Sequence, residues 1–260
     1  MKNIILIIVS VLLISIDGFA QTPEEKGYAI QAEVNRRDNG FVDSMHEAYM
    51  TLRNARGEES TRLFMVKTLE VEGDGDKEIG VFQSPADVRG TAVLTHSHGL
   101  EPDDQWLYLP SLKRVKRIST VNKSGPFVGS EFAFEDIASW ELEKYTYKYL
   151  RDEMLGEYDT FVVENIPAYE YSGYTRQVEW IDKTIYQPRR IDFYDRKNEL
   201  LKTLIFSDYE LHIDRFWKAG KLVMTNHQNG KSTELLRKNY KFRNGFSDRD
   251  FSVDALRNIR

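Results

Sequence analysis

Alternation at period two, restarted repeatedly by turn residues, is the feature that most constrains this chain. Between Thr61 and Leu69, one set of side chains (Thr61, Leu63, Met65, Lys67, Leu69) alternates with another (Arg62, Phe64, Val66, Thr68). Successive residues of a strand point to opposite faces, so this is the pattern of an extended segment rather than a helix. Gly73-Asp74-Gly75-Asp76 breaks it. Ile79, Val81 and Phe82 resume it before Pro85, and residues 91–95 repeat it after Gly90. In the second half, Tyr145, Tyr147 and Tyr149 alternate with Thr146, Lys148 and Leu150. Further runs lie near 159–164, 174–182, 190–195, 200–206, 222–225 and 233–242. Tyrosine-rich, β-branched segments at this spacing predict one large meandering antiparallel sheet.

Helices are few. Thr22-Pro23-Glu24-Glu25 is a capping box with proline at the first helical position, and Asn39-Gly40 is a stop, so a helix is predicted over 23–38. Tyr28, Ile30, Ala32 and Val34 supply its apolar residues. Short helices are predicted near 135–141 and over 251–259. A sheet with one apolar face must pack on a second sheet, close into a barrel or curl around helices. The inventory favours the last option. The fold expected is mainly β (α+β), a curved antiparallel incomplete β-barrel with a few helices packed in its concave side. Such a fold leaves an apolar cavity between sheet and helices.

The stretch from Asp104 to Asp136 is the most distinctive. Trp106-Leu107-Tyr108-Leu109 ends at Pro110. Lys113-Arg114-Val115-Lys116-Arg117 follows, and then a Gly-rich apolar loop, 124–130, leads to Phe132 and Phe134. Trp106, Tyr108, Phe127, Phe132 and Phe134 are candidates for the wall or lid of a lipid cavity. The same five also suit an ordinary core. Lys113, Arg114, Lys116 and Arg117 are either a solvated strand end or a contact for anionic headgroups or a membrane partner.

Residues 1–20 carry Lys2, an apolar run from Ile4 to Ile16, and Gly18 and Ala20 at the −3 and −1 positions before Gln21. This is the pattern of a cleaved secretory signal peptide, too short for the ~20 residues that span a bilayer. The chain has no cysteine, hence no lipobox and no disulfide. A periplasmic location is expected, with 21–260 as a single domain. The formal net charge of −5 over 260 residues, together with export, implies no nucleic-acid partner.

No catalytic set is visible and no cofactor is implied. His46-Glu47 begins like a zinc-protease helix, but residue 50 is methionine. His96-Ser97-His98 lacks further clustered ligands, so no metal is expected. Ser130 follows glycine without the G-x-S-x-G pattern.

Specific pieces do resemble a known family. They include Gly27-Tyr28, Gly40-Phe41-Val42-Asp43-Ser44, Met50-Thr51-Leu52-Arg53-Asn54 and Gly57-Glu58-Glu59-Ser60. Asp87-Val88-Arg89-Gly90-Thr91, Asp104-Gln105-Trp106-Leu107-Tyr108-Leu109-Pro110 and Gly129-Ser130-Glu131-Phe132 continue the likeness. So do Ser172-Gly173-Tyr174, Phe193-Tyr194-Asp195, Asn226-His227-Gln228 and Gly230-Lys231-Ser232. Together they resemble the outer-membrane lipoprotein-sorting protein family, distant relatives of the periplasmic carrier LolA. The resemblance implies a LolA/LolB-like half-barrel around a hydrophobic cavity. It also implies a periplasmic carrier of lipid or lipoprotein acyl chains with transient membrane contact, often working alongside an RND-type (MMPL) exporter. It assigns no residue to the arginine that locks the carriers' lid. A regulatory sensor of lipid or envelope state, and a lipid or ester hydrolase, are the other readings.

Overall fold

The computed structural model describes residues 21–258; the predicted signal peptide lies outside them. The first meander is β1 (Asp43–Arg53), β2 (Glu59–Leu69), β3 (Lys77–Ser84), β4 (Ala92–His96), β5 (Asp104–Leu109) and β6 (Arg114–Ile118). The second is β7 (Tyr145–Leu155), β8 (Tyr158–Pro167), β9 (Arg176–Asp182), β10 (Pro188–Tyr194), β11 (Leu200–His212), β12 (Phe216–Asn226) and β13 (Ser232–Phe242). They fuse through an antiparallel β1–β13 pair into one 13-stranded sheet, ordered β6-β5-β4-β3-β2-β1-β13-β12-β11-β10-β9-β8-β7. The edges β6 and β7 are not paired to each other, so the sheet is not closed into a barrel.

That topology gives one connection a special path. Because β6 and β7 are opposite edges yet successive in the chain, residues 119–144 must cross from one side of the sheet to the other. They do so on the inner face, bringing Phe127, Phe132 and Phe134 into the main core with Met50, Phe64, Phe82, Leu204 and Leu222. Helix α1 (Pro23–Asp38) begins with the expected capping box at Thr22 and Glu25. It lies against β7 so closely that a Cβ at Gly27 would sit 2.7 Å from the Tyr149 backbone nitrogen. Its sheet-facing side carries Gly27, Ile30 and Gln31 at helical spacing, whereas Tyr28 points outward.

Two helix expectations need correction. In place of a helix over 135–141 there is one 3-10 turn, Phe134–Ile137. Ala138 is already extended, and the Ser97 hydroxyl oxygen accepts from the Ser139 amide, so the backbone is tied to the sheet instead of coiling. At the C-terminus, a 3-10 turn (Asp248–Phe251) precedes α2 (Val253–Arg257), which Ser252 caps. Ile259 lies outside the described residues. Phe251 and Leu256 pack on the outer face, against Ile79, Ala92 and Leu94, so this helix does not enter the concave side.

Candidate functional site

Side-chain alternation turns the register into a gradient. On the inner face, β1 presents Ser44, His46, Ala48 and Met50 in succession, and β2 presents Thr68, Val66 and Phe64 beside them. The surface therefore passes from polar to apolar along the strands. Across the strands, Met50 pairs with Leu235, Leu235 with Leu222 and Leu222 with Phe206. At about 4.8 Å per strand, this apolar row is roughly 14 Å long. Sheet, α1 and the crossing connection together enclose a cavity of about 1300 Å³. That exceeds the ~300–1,000 Å³ usual for small-molecule sites.

The apolar end is closed by the crossing connection, which is tied to both meanders. Arg62 of β2 donates to the Val128 carbonyl oxygen. Thr233 of β13 accepts from the Glu131 amide at 3.0 Å, and Asn226 of β12 donates to the Glu131 carboxylate at 2.8 Å. Lys202 of β11 reaches the Glu131 carbonyl at 3.0 Å and the Asp136 carboxylate at 2.5 Å, both charged side chains being buried. Asp136 in turn accepts from the Tyr174 hydroxyl and caps the Ala133 amide. A buried pair with this many extra hydrogen bonds has its desolvation largely compensated.

Acidic groups concentrate at the polar end. Burial pushes the Asp76 and Glu78 carboxyls up to about 7, against the Val71 amide at Asp76 and the positive field of Arg237 at Glu78. Burial likewise raises Glu179, which accepts from Gln31 at 2.5 Å and Asn165 at 2.8 Å. It holds the His46 imidazole well below its ordinary value, with Arg237 and Lys218 adding to the effect. His46 Nδ1, Gln177 Oε1 and Arg237 Nε are buried polar atoms without a hydrogen-bond partner, and all three residues line the cavity.

The five aromatic candidates separate. Phe127 and Phe132 line the cavity, and Phe134 stands behind Phe127, ring to edge at 5.7 Å. Trp106 and Tyr108 do not join them. They pair with Leu94 and Ala92 on the outer face and pack beneath α2, with the Trp106 ring 5.1 Å from His96. An alternating strand cannot present Trp106 and Leu107 to the same side, and it is Leu107 that faces inward. The basic run divides in the same way. Lys113 occupies the turn, Arg114 and Lys116 share the inner side of edge strand β6, and Arg117 pairs with Asp104 on the outer side. None of the four lines the cavity. His96 contacts the Phe251 carbonyl at 2.7 Å and His98 the Asp74 carboxylate at 2.8 Å. Among the described residues, no group of three metal-ligating side chains comes together.

Arg62, Arg237 and the carboxyls of Asp76 and Glu78 escaped sequence reading. Each occupies an inner-face position of an alternating strand or turn, and its surroundings depend on pairing between distant segments.

Comparisons with known proteins agree with this architecture. An outer membrane lipoprotein-sorting protein domain from Vibrio parahaemolyticus superposes with a TM-score of 0.89 at 53% identity, covering 90% of this chain and 99% of that one. A DUF1329 family protein from Desulfovibrio piger gives 0.87 at 31% identity, with the same coverage. A LolA superfamily protein from Nitrosomonas europaea gives 0.72 at 20% identity over 88% of this chain and 98% of that one, a likeness of fold. The family model that matches, over residues 74–258, is described as uncharacterized-protein-like. None of the curated proteins matches. With half its residues identical to one solved relative across nearly that relative's whole length, the chain belongs to the outer-membrane lipoprotein-sorting (DUF1329) family and carries the LolA-superfamily fold.

Proposed function

We propose that this protein is a periplasmic carrier that holds the acyl chain of a lipid or lipoprotein in the inner-face cavity. It would carry that chain toward the outer membrane, in exchange with an RND/MMPL-type exporter. The observation that carries the reading is the cavity of about 1300 Å³ with an apolar row across four strands. About twelve methylenes at ~0.8 kcal/mol each gain roughly 10 kcal/mol before the entropic cost of association, enough for reversible binding without a covalent step. Phe127 and Phe132 join Phe64 and Phe206 as aromatic parts of the wall in this reading. The 124–130 loop is the element whose displacement would release the chain, with Arg62 holding it closed. Arg114 and Lys116, exposed on the edge strand, are available for a membrane or exporter contact. Among the described residues, no helix is long and apolar enough to cross a membrane. The family membership favours this reading over the sensor and hydrolase alternatives, since the relative at 53% identity bears a lipoprotein-sorting description.

Titration with a fluorescent acyl probe tests it. Saturable binding at about micromolar affinity, displaced by unlabelled lipid, is expected. Leu235→Trp, which fills the apolar row, should weaken binding about tenfold. No uptake by the folded wild type would defeat the proposal.

A further inference from the structure

The cations lining the cavity are Lys123, Lys144, Lys218 and Arg237. Three of them have a carboxylate. Lys123 and Lys144 share Asp103, with Lys123 at 3.5 Å, and Lys218 lies 2.6 Å from Asp38. Arg237 stands apart. Among the described residues the only ion pair on β13 is Glu234 with Lys221, and Arg237 Nε is buried without a hydrogen-bond partner. A carboxyl in such surroundings can take up a proton, as Asp76 and Glu78 do near neutrality. A guanidinium cannot shed its own. The acid that feels its field, Glu78, is pushed up to about 7 by burial and forms no ion pair with it, so this fixed positive charge faces the cavity with no carboxylate within ion-pair distance among the described residues.

Its position is informative. Arg237 is opposite Ala48, where the polar and apolar halves of the inner face meet. On the polar side is His46, only 7% exposed, stacked on Tyr240 at 4.6 Å and with Nδ1 unpartnered. On the other side begins the row of Met50, Leu235, Leu222 and Phe206. Two of the acids lining the cavity are answered locally, Asp38 by Lys218 and Glu179 by Gln31 and Asn165.

Resting on the carrier reading above, we propose that the cavity selects amphiphiles with one compact anionic head, a carboxylate or a phosphate, seated on Arg237 with the chain along that apolar row. The planar guanidinium offers either head a bidentate pair of hydrogen bonds. His46 stands beside the head, and the low-dielectric walls strengthen the interaction.

The test compares palmitate, hexadecyl phosphate and hexadecanol as competitors of an uncharged acyl fluorophore on the full protein at neutral pH. Wild type should bind at least one anionic amphiphile about tenfold or more tightly than hexadecanol, as charged hydrogen bonds in an enclosed site require. The tighter of the two names the head chemistry. Arg237→Gln should lose that preference while its hexadecanol affinity changes by less than about threefold, which also shows that the variant is folded. Arg237→Lys should keep part of the preference, because an ammonium cannot form the bidentate pair, and it decides the matter if Arg237→Gln does not fold. Equal binding of acid, phosphate and alcohol, or a preference unchanged in these variants, overturns the anionic-head assignment and leaves the carrier reading standing. Failure of all three to bind overturns both.

Discussion

Arg62 on β2 donates through Nη1 to the carbonyl oxygen of Val128, a residue held at positive φ in the middle of the crossing connection. A β-branched residue in that conformation is unfavourable by itself, so the turn relies on outside contacts. Burial lowers the Arg62 guanidinium pKa, opposed by Asp87, but the group stays charged. A charge-assisted hydrogen bond of this kind contributes about 1.5–3 kcal/mol. Arg62→Ala should therefore loosen residues 124–133 locally, seen as faster amide hydrogen exchange there and unchanged exchange in β8 and β9. Acyl-probe association and dissociation should both accelerate. Exchange that is unaltered in this segment would show that the contact does not secure it.

Gly27 lets α1 approach the β7 backbone. A methyl group there meets Tyr149 N at 2.7 Å and Lys148 C at 2.9 Å, backbone atoms that cannot rotate away. Gly27→Ala would normally gain about 1 kcal/mol of helix propensity. Here overpacking should outweigh it and cost about 1–3 kcal/mol net. A lowered melting temperature with early loss of protection in α1 is expected; an unchanged or raised one would contradict the close packing.

The raised carboxyl of Glu78 makes a pH prediction with a definite sign. Its folded pKa, about 7, lies above its ordinary 4.5. Between these values the folded state binds the extra proton, so stability falls as pH rises through the window and levels off above it. His46, kept neutral by burial, acts in the opposite direction. The comparison is therefore between Glu78→Gln and the parent at each pH. The variant should gain stability relative to wild type between pH 5 and pH 8, read from thermal melts across this roughly three-unit span. A constant difference would mean that Glu78 titrates normally.

Trp106 packs on the outer face with His96 and α2. Trp106→Ala should cost about 2 kcal/mol, less than the 3–5 of a fully buried tryptophan because the ring is half-buried. Acyl-probe affinity should stay within about twofold of wild type. A large loss of affinity with an unchanged melting temperature would place this residue in the binding site.

Much of the sheet is legible because alternation is a local property. Thr61 to Leu69 reads as a strand in sequence and is one. Helix α1 has its predicted bounds because the Thr22–Glu25 box and Asn39 are local signals too. Its buried face was hidden, since two of its contact residues, Gly27 and Gln31, are not apolar. The aromatic candidates show the complementary difficulty. Trp106 and Leu107 are equally hydrophobic, and only the positions of α2 and the crossing connection decide which face each one serves. Arg237 is harder still. Its significance lies in forming no ion pair among the described residues, and the register of β13 against β1 is needed to place it on the inner face.

The measurement that bears most directly on the central claim is native mass spectrometry of the protein purified from a periplasmic extract, followed by extraction and identification of what it carries. A stoichiometric mass that dissociates as a lipid or acylated peptide is the predicted result, and its loss in Leu235→Trp would place it in the cavity. A protein that is purified empty, and then refuses acyl probes while folded, would contradict the account.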